Sequence, residues 1–359
     1  MAKAVVAAAS NALEDLLLLV PPALRMMRRV LFALAVCASA CGGSTPTPPT
    51  PTTPVTPVTP TPTPTPTPPA PTTATVTGRV IAVNGGQGLS GVSVSLGSAT
   101  VTTDGTGAYT SPALPFGSLR VTLTAADIVP RSVTAAVNAS RTLPLDAIAR
   151  SGGFDQTFYR QFVRNTLDAP DRLEPLRRWT RTTQVYLKTV DESGFEVALN
   201  DSRLLDAAEQ IAREMIPMWS AGTIGVTNVV RGTETREGQA GWLTIRWLAT
   251  GSTPGQCGNA VVGGDVINLN WRNQACNCPG LGFARTVIRH ELGHAMGFWH
   301  TDSANDLMFF RLSYSTCDVG LSARERYHAA IAYARPVGNA DPDSDPVTSV
   351  LSLPTKIVY

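Results

Sequence analysis

Charge is sparse in this 359-residue chain: 29 Lys and Arg stand against 27 Asp and Glu, a formal net charge of +2. No basic stripe with interleaved aromatics occurs, so there is no electrostatic case for nucleic acid. Long apolar runs are also lacking near the start, where Val30 to Val36 is too short to cross a membrane as a permanent helix. Histidine is scarcer still, at four residues. Apolar residues make up 43%, enough for real cores in a length that fits two modest domains and a linker. Three of the four histidines fall between His290 and His300, and that clustering is the first sign of chemistry.

The N-terminus reads as an export signal. Met26-Met27-Arg28-Arg29 is a charged start, followed by the short apolar run. Ala38-Ser39-Ala40-Cys41 then resembles a lipobox, although Ala38 stands where Leu is usual. This implies lipid attachment at Cys41 and a membrane partner through that anchor; an ordinary cleaved signal is the alternative. Glu14 and Asp15 fit a signal's leading segment poorly, so Met26 or Met27 is taken as the start. Residues 1–41 are thus a signal segment, and 42–72 a stalk. Residues 44–72 hold only Ser, Thr, Pro, Val and Ala. Such a segment is extended and polyproline-like, reaching roughly 80–90 Å at about 3.1 Å per residue. The expected location is the cell surface or outer membrane, otherwise secreted.

Residues 73–147 show short β-type runs at Thr75–Val80, Gly91–Leu96 and Leu119–Leu123, separated by Asp104-Gly105, Gly107 and Pro115-Phe116-Gly117. This spacing predicts a small antiparallel sandwich. The pattern resembles the carboxypeptidase regulatory-like domain, through Gly78-Arg79-Val80, Leu89 to Val94, Thr103-Asp104 with Gly107 and Tyr109, and Leu114-Pro115 with Gly117. That resemblance implies a seven-stranded immunoglobulin-like sandwich without catalytic residues. Spacer and weak binding module are both open readings, since fold alone does not give function.

Residues 151–336 read as a mixed α/β unit. Phe154, Phe158 and Phe162 predict a first helix, and Gln184–Val190 a strand. Leu204, Ala208, Ile211, Met215 and Trp219 keep helical spacing, with Asp201 or Ser202 available as cap. Strands are expected at Gly225–Val230, Trp242–Ala249 and Val266–Trp271. A helix from about Phe283 to Phe298 follows. The last begins at Ser322, which has capping-box spacing to Glu325. Residues 337–359 read as a polar, Pro-broken tail.

The decisive stretch is His290-Glu291-Leu292-Gly293-His294-Ala295-Met296-Gly297-Phe298-Trp299-His300. Histidines four apart share one helix face, a spacing at which two imidazoles meet one metal at about 2.0–2.1 Å. Gly297 permits a sharp exit from the helix, after which His300 returns as third ligand. Three neutral nitrogens leave a fourth tetrahedral position for water, whose pKa zinc lowers from about 15.7 toward 7. Glu291 beside the first ligand is placed to act as general base. Accident produces the His pair with its Glu in about one chain per hundred; Gly297 and His300 reduce that to about one in a hundred thousand. The cluster is therefore read as chemistry rather than as core histidines.

The extended pattern resembles the metzincin clan of metalloproteases, and the eight-residue step from His300 to Met308 resembles its matrixin branch. The resemblance implies an α+β catalytic domain with a twisted mixed sheet and three main helices. It makes His290, His294 and His300 zinc ligands, Glu291 the general base and Met308 the methionine of a tight turn beneath the metal. Leu321-Ser322 opening the last helix is a second echo. Phe310 stands where other branches place a Tyr, and the cysteine-switch propeptide of matrix metalloproteases is missing. Calcium loops are not recognisable.

Asp302 is read either as a hydrogen-bond partner of a ligand ring or as a turn residue. His328 is read as a surface or packing residue. Val266–Trp271 would be the edge strand that pairs with an extended substrate, or else a plain internal strand. For an exported chain, Cys257, Cys276, Cys278 and Cys317 predict two disulfides. Connectivity is open among three pairings. Cys276 and Cys278 lie too close to bond each other comfortably, and the pairing chosen is Cys257 with Cys276 and Cys278 with Cys317. Taken together, the sequence predicts an exported zinc endopeptidase with a protein or peptide substrate. The alternatives are an inactive surface-anchored binding module and a hydrolase of a non-protein amide. Oligomeric state is not legible.

Overall fold

A computed structural model describes residues 70–199, 201–249, 256–280, 282–311 and 317–349. Cys41, the signal and the stalk as far as residue 69 lie outside the described residues. The described chain is a mixed α+β structure with several sheets and four α-helices. No helix among the described residues is long and apolar enough to cross a membrane.

Alternation of small apolar and polar residues builds the first part. Strands β1 (Thr73–Ala82), β4 (Ala108–Pro115), β7 (Arg141–Thr142) and β8 (Leu145–Ala147) form one sheet; β2 (Ser93–Leu96), β3 (Ala99–Thr102), β5 (Gly117–Thr124) and β6 (Arg131–Val137) form the other, in the order β3-β2-β5-β6. In β5, Val121 and Leu123 are buried while Thr124 is exposed, as a two-residue period requires. They meet Val76, Val80, Val94 and Leu96 in a core of their own. Eight strands form rather than seven, because the last edge comes in two short pieces that both run parallel to β1. Asp104 Oδ1 accepts from the Thr106 and Ala108 amides to close the β3–β4 turn. Gly107 in that turn takes φ +85°, and a Cβ there would lie 2.5 Å from the Val80 carbonyl oxygen, so only glycine fits.

In the second part, β9 (Thr183–Asp191), β10 (Val226–Gly232), β11 (Trp242–Trp247), β12 (Gly258–Ala260) and β13 (Val266–Leu269) form one sheet in the order β10-β9-β11-β13-β12. All pairings are parallel except β12 with β13. The Val266 run is therefore internal, and the sheet's two edges are Val226–Gly232 and Gly258–Ala260. Ile267 and Leu269 are fully buried, which suits a strand with neighbours on both sides.

Helix α1 (Gln156–Arg164) is capped by Asp155, which accepts from the Phe158 amide, and it buries Phe158 and Phe162. Helix α2 (Leu204–Trp219) buries the expected apolar stripe. Neither Asp201 nor Ser202 is its N-cap: Arg203 holds that position without a side-chain bond, and Asp201 accepts from the Arg203 amide instead. Helix α3 (Arg285–Ala295) is shorter than expected at both ends. Helix α4 (Ala323–Tyr333) starts with a complete Ser322–Glu325 capping box. Two disulfides pair Cys257 with Cys276 and Cys278 with Cys317.

Residues 337–349 do not behave as a tail. Asn339, Asp343 and Asp345 are buried with Arg335, and Arg131 and Asp146 of the sandwich join them. Arg131 pairs with Asp146, Asp343 and Asp345; Arg335 pairs with Asp146 and Asp343. Each charge is therefore opposed, without which so much burial would be prohibitive. Burial alone would push the Asp343 carboxyl upward, but Arg131 and Arg335 hold it below its ordinary value. Arg164 of α1 donates to Asn339, so the C-terminal segment ties helix, body and sandwich into one compact unit.

Candidate metal centre

Helix α3 sets His290 and His294 one turn apart, with ring centroids separated by 4.8 Å. The helix then ends, because Gly297 adopts φ +112° and a Cβ on it would overlap the Arg177 carbonyl oxygen. The exit is fixed by the Trp299 amide, which donates to the Phe162 carbonyl at 2.8 Å, and by Phe298 stacked on Phe162 at 4.3 Å. The turn returns His300 to the other two. One nitrogen from each ring falls within 4.8 Å of the others, a cluster that could hold a metal ion.

Ring orientation supports that fit. His290 Nδ1 donates to the Leu307 carbonyl and His294 Nδ1 to the Phe298 carbonyl, both at 2.8 Å. A carbonyl only accepts, so these bonds require a proton on Nδ1 and leave the Nε2 lone pairs free. His300 Nδ1 faces Asp168 Oδ2 at 2.9 Å. Two Nε2 atoms, of His294 and His300, lie 3.2 Å apart. Burial pushes His290 down to about 4, and burial together with its neighbouring imidazoles pushes His294 well down. Both are therefore neutral donors at neutral pH, the form a metal needs.

Glu291 lies on the same helix and does not join the three rings. Its side chain is buried, its Oε2 has no hydrogen-bond partner, and burial pushes the carboxyl up to about 8. Its other oxygen approaches β12: a Cβ at Gly258 would lie 2.7 Å from Glu291 Oε1. A cleft of about 400 Å³ opens over these groups, lined by His290, Glu291, His294, His300, the edge strand and Phe310.

Met308 is fully buried against the helix, so that a Cβ on Gly293 would overlap its sulfur. Its amide and that of Leu307 donate to Glu325, at 2.8 and 3.1 Å. Burial pushes the Glu325 carboxyl up to about 7, against backbone donors that favour the anion. The capping glutamate thus also holds the turn that carries the His290 partner. Asp302 does not support a ligand ring; it accepts from Gln161. Asp168 takes that place, 132 residues before His300 in sequence, and no local signal marks it. His328 is a buried packing residue whose Nε2 accepts from the Asp155 amide. Cys257 and Cys276 staple the edge-strand region, while the Cys278–Cys317 bridge encloses the whole histidine motif.

No family model matches the chain, and no curated protein does. Solved structures match at low similarity. A type II cohesin–X-dockerin interface mutant from Acetivibrio cellulolyticus is 18% identical over 23% of this chain and 65% of that one, with a TM-score of 0.19. A DUF3823 family protein from Parabacteroides merdae is 21% identical over 21% of this chain and 46% of that one, TM-score 0.19. In both, less than two thirds of the other chain's length is spanned. Metalloproteinase-II from Bacteroides fragilis is 12% identical over 71% of this chain and 84% of that one, TM-score 0.29.

Proposed function

We propose that this chain is an exported zinc endopeptidase with a metzincin-like catalytic body and an immunoglobulin-like sandwich as spacer. The observation that carries the reading is the convergence of three imidazole nitrogens beside a buried carboxylate oxygen that nothing else engages. A structural site needs ligands only; a spare, desolvated carboxylate next to them is what hydrolysis adds. For that reason the inactive binding module is the weaker reading.

His290, His294 and His300 would hold the zinc through the ring nitrogens left over from their Nδ1 contacts, beside the cleft. Zinc, when bound, supplies a Lewis acid that acidifies a water and polarises the substrate carbonyl. Glu291 takes the water's proton and passes it to the leaving amine. Glu291 is the base in its ionised form; burial raises its basicity, and a cation held by the three histidines would favour the carboxylate. The outer edge of β12 offers backbone groups to an extended peptide, which would lie across the cleft as an added strand. Met308 and Glu325 stay behind the ligands and set their positions.

Two disulfides in the catalytic body favour an oxidising compartment, in keeping with export and a lipid anchor at Cys41. Casein zymography with and without a chelator tests the activity. Clearing that the chelator abolishes is expected, and clearing that survives complete zinc removal would contradict the reading.

A further inference from the structure

The partners of the three outer imidazole nitrogens are not equivalent. His290 and His294 donate to the carbonyls of Leu307 and Phe298, which lie within the same stretch of chain as the histidines and come with it. His300 has left the helix, and its Nδ1 partner is a carboxylate from another part of the molecule, Asp168 at 2.9 Å. We infer that Asp168 is a positioning residue for the third metal ligand: it fixes the His300 ring so that Nε2 faces the other two histidines. The inference rests on the three-histidine metal reading and deepens it.

The physical need is specific to His300. His290 and His294 are held by helix α3 and by the packing around it; His300 lies past Gly297 on an irregular segment. A ring there can rotate about two side-chain torsions unless its outer nitrogen is tied. An anionic acceptor ties it more firmly than a carbonyl and raises the basicity of the coordinating nitrogen. Asp168 can do this because its own segment is docked on the motif. Besides the Trp299 bond to Phe162 and the close approach of Gly297 to the Arg177 carbonyl described above, Gln161 donates to Asp302 at 2.9 Å, and the Arg177 guanidinium lies 5.6 Å from the Trp299 ring centroid. The metal centre therefore extends to residues 161–177, far upstream of its histidines.

The test uses the full mature chain and its Asp168→Asn, Asp168→Ala and Glu214→Gln variants. Asn keeps a similar shape and an acceptor oxygen but removes the charge. Ala removes both. Glu214→Gln is the control, because Glu214 lies exposed on α2 and accepts from Gln210, away from the docked segment. Zinc dissociation constants come from competition with a chromogenic chelator, beside melting of the metal-free proteins and turnover of a quenched peptide at saturating zinc. Asp168→Ala should bind zinc about 10–100-fold more weakly, the usual effect of removing such a partner. Asp168→Asn should fall between it and wild type, and Glu214→Gln should match wild type. Asp168 is partly exposed, so metal-free melting should be unchanged. At saturating zinc, Asp168→Ala should keep KM and lose kcat. Wild-type zinc affinity in Asp168→Ala would overturn the inference while leaving the metal reading intact. Higher turnover in Asp168→Ala at equal zinc content would also overturn it, by making Asp168 a restraint. Failure of the wild-type chain to bind one zinc would instead sink the metal reading itself.

Discussion

Removing the Cys278–Cys317 bridge isolates one contribution to stability from the chemistry of the site. The bridge spans 39 residues that include His290, His294, His300 and Met308. Without it, the unfolded chain regains the freedom of that loop. The chain-entropy relation gives about 13 cal/mol/K for a loop of this length, or about 4 kcal/mol at 25 °C. The 19-residue Cys257–Cys276 loop gives about 3 kcal/mol by the same relation. Cys278→Ala with Cys317→Ala should therefore lower the urea midpoint substantially: at a slope of about 3 kcal/mol/M, 4 kcal/mol corresponds to about 1.3 M. The assay is urea unfolding followed by tryptophan fluorescence, with chelator present throughout. That condition matters because a metal bound at the three histidines would stabilise the folded state by mass action and mask the loss. A midpoint shift below about 0.3 M, with an unchanged slope, would refute the reasoning, since the bridge would then not restrict the unfolded chain. A changed slope would point to an altered unfolded ensemble instead.

Two further perturbations address the supports of the site. Glu325→Gln turns an amide N–H toward one of the backbone donors at Leu307, Met308 or Ser322, at a cost of about 1–3 kcal/mol; thermal melting should fall accordingly, and an unchanged melt would show that the carboxylate is dispensable. Asp343→Asn breaks the buried Arg131 and Arg335 pairs and should cost about 3–5 kcal/mol at pH 7. The pH dependence follows from Asp343's lowered folded-state pKa. Below the ordinary carboxylate value of 3.8 the unfolded chain takes up this proton before the folded one does. The Asp343 contribution is thus full above that value and is lost as pH falls through the folded value. Urea midpoints from pH 6 to 3 should fall more steeply for wild type than for Asp343→Asn, and parallel profiles would contradict the assignment.

Legibility in the sequence followed the range of the interactions. Strand β5 and helix α2 carry their period in consecutive residues, so Val121, Leu123, Ile211 and Met215 marked their buried faces directly. The histidine motif was legible because its spacing is local: two histidines one helix turn apart and a third just past Gly297. Edge strand β12 was not: Gly258-Asn259-Ala260 has no hydrophobic alternation and is a strand only because β13 lies beside it. Asp168 was invisible for a similar reason, since its partner is brought to it by the docking of α1. Residues Asn339, Asp343 and Asp345 looked like solvated polar chain. They are buried because three arginines, one of them in the sandwich, meet them there, and no local pattern announces a charge whose counterion is some 200 residues away. The expected caps of α2 failed on a smaller scale: Asp201 spends its oxygen on the Arg203 amide, ahead of the helix itself.

The central claim is that metal binding and proton transfer are carried by different residues of one short motif. Zinc content by elemental analysis and turnover of a quenched peptide, measured on the same preparation of Glu291→Ala, test it most directly. The account predicts close to one zinc per chain, because Glu291 is not a ligand, with turnover reduced by at least about 10²–10⁴, the usual contribution of a positioned general base. Near-normal turnover in that variant with zinc still bound would contradict the account.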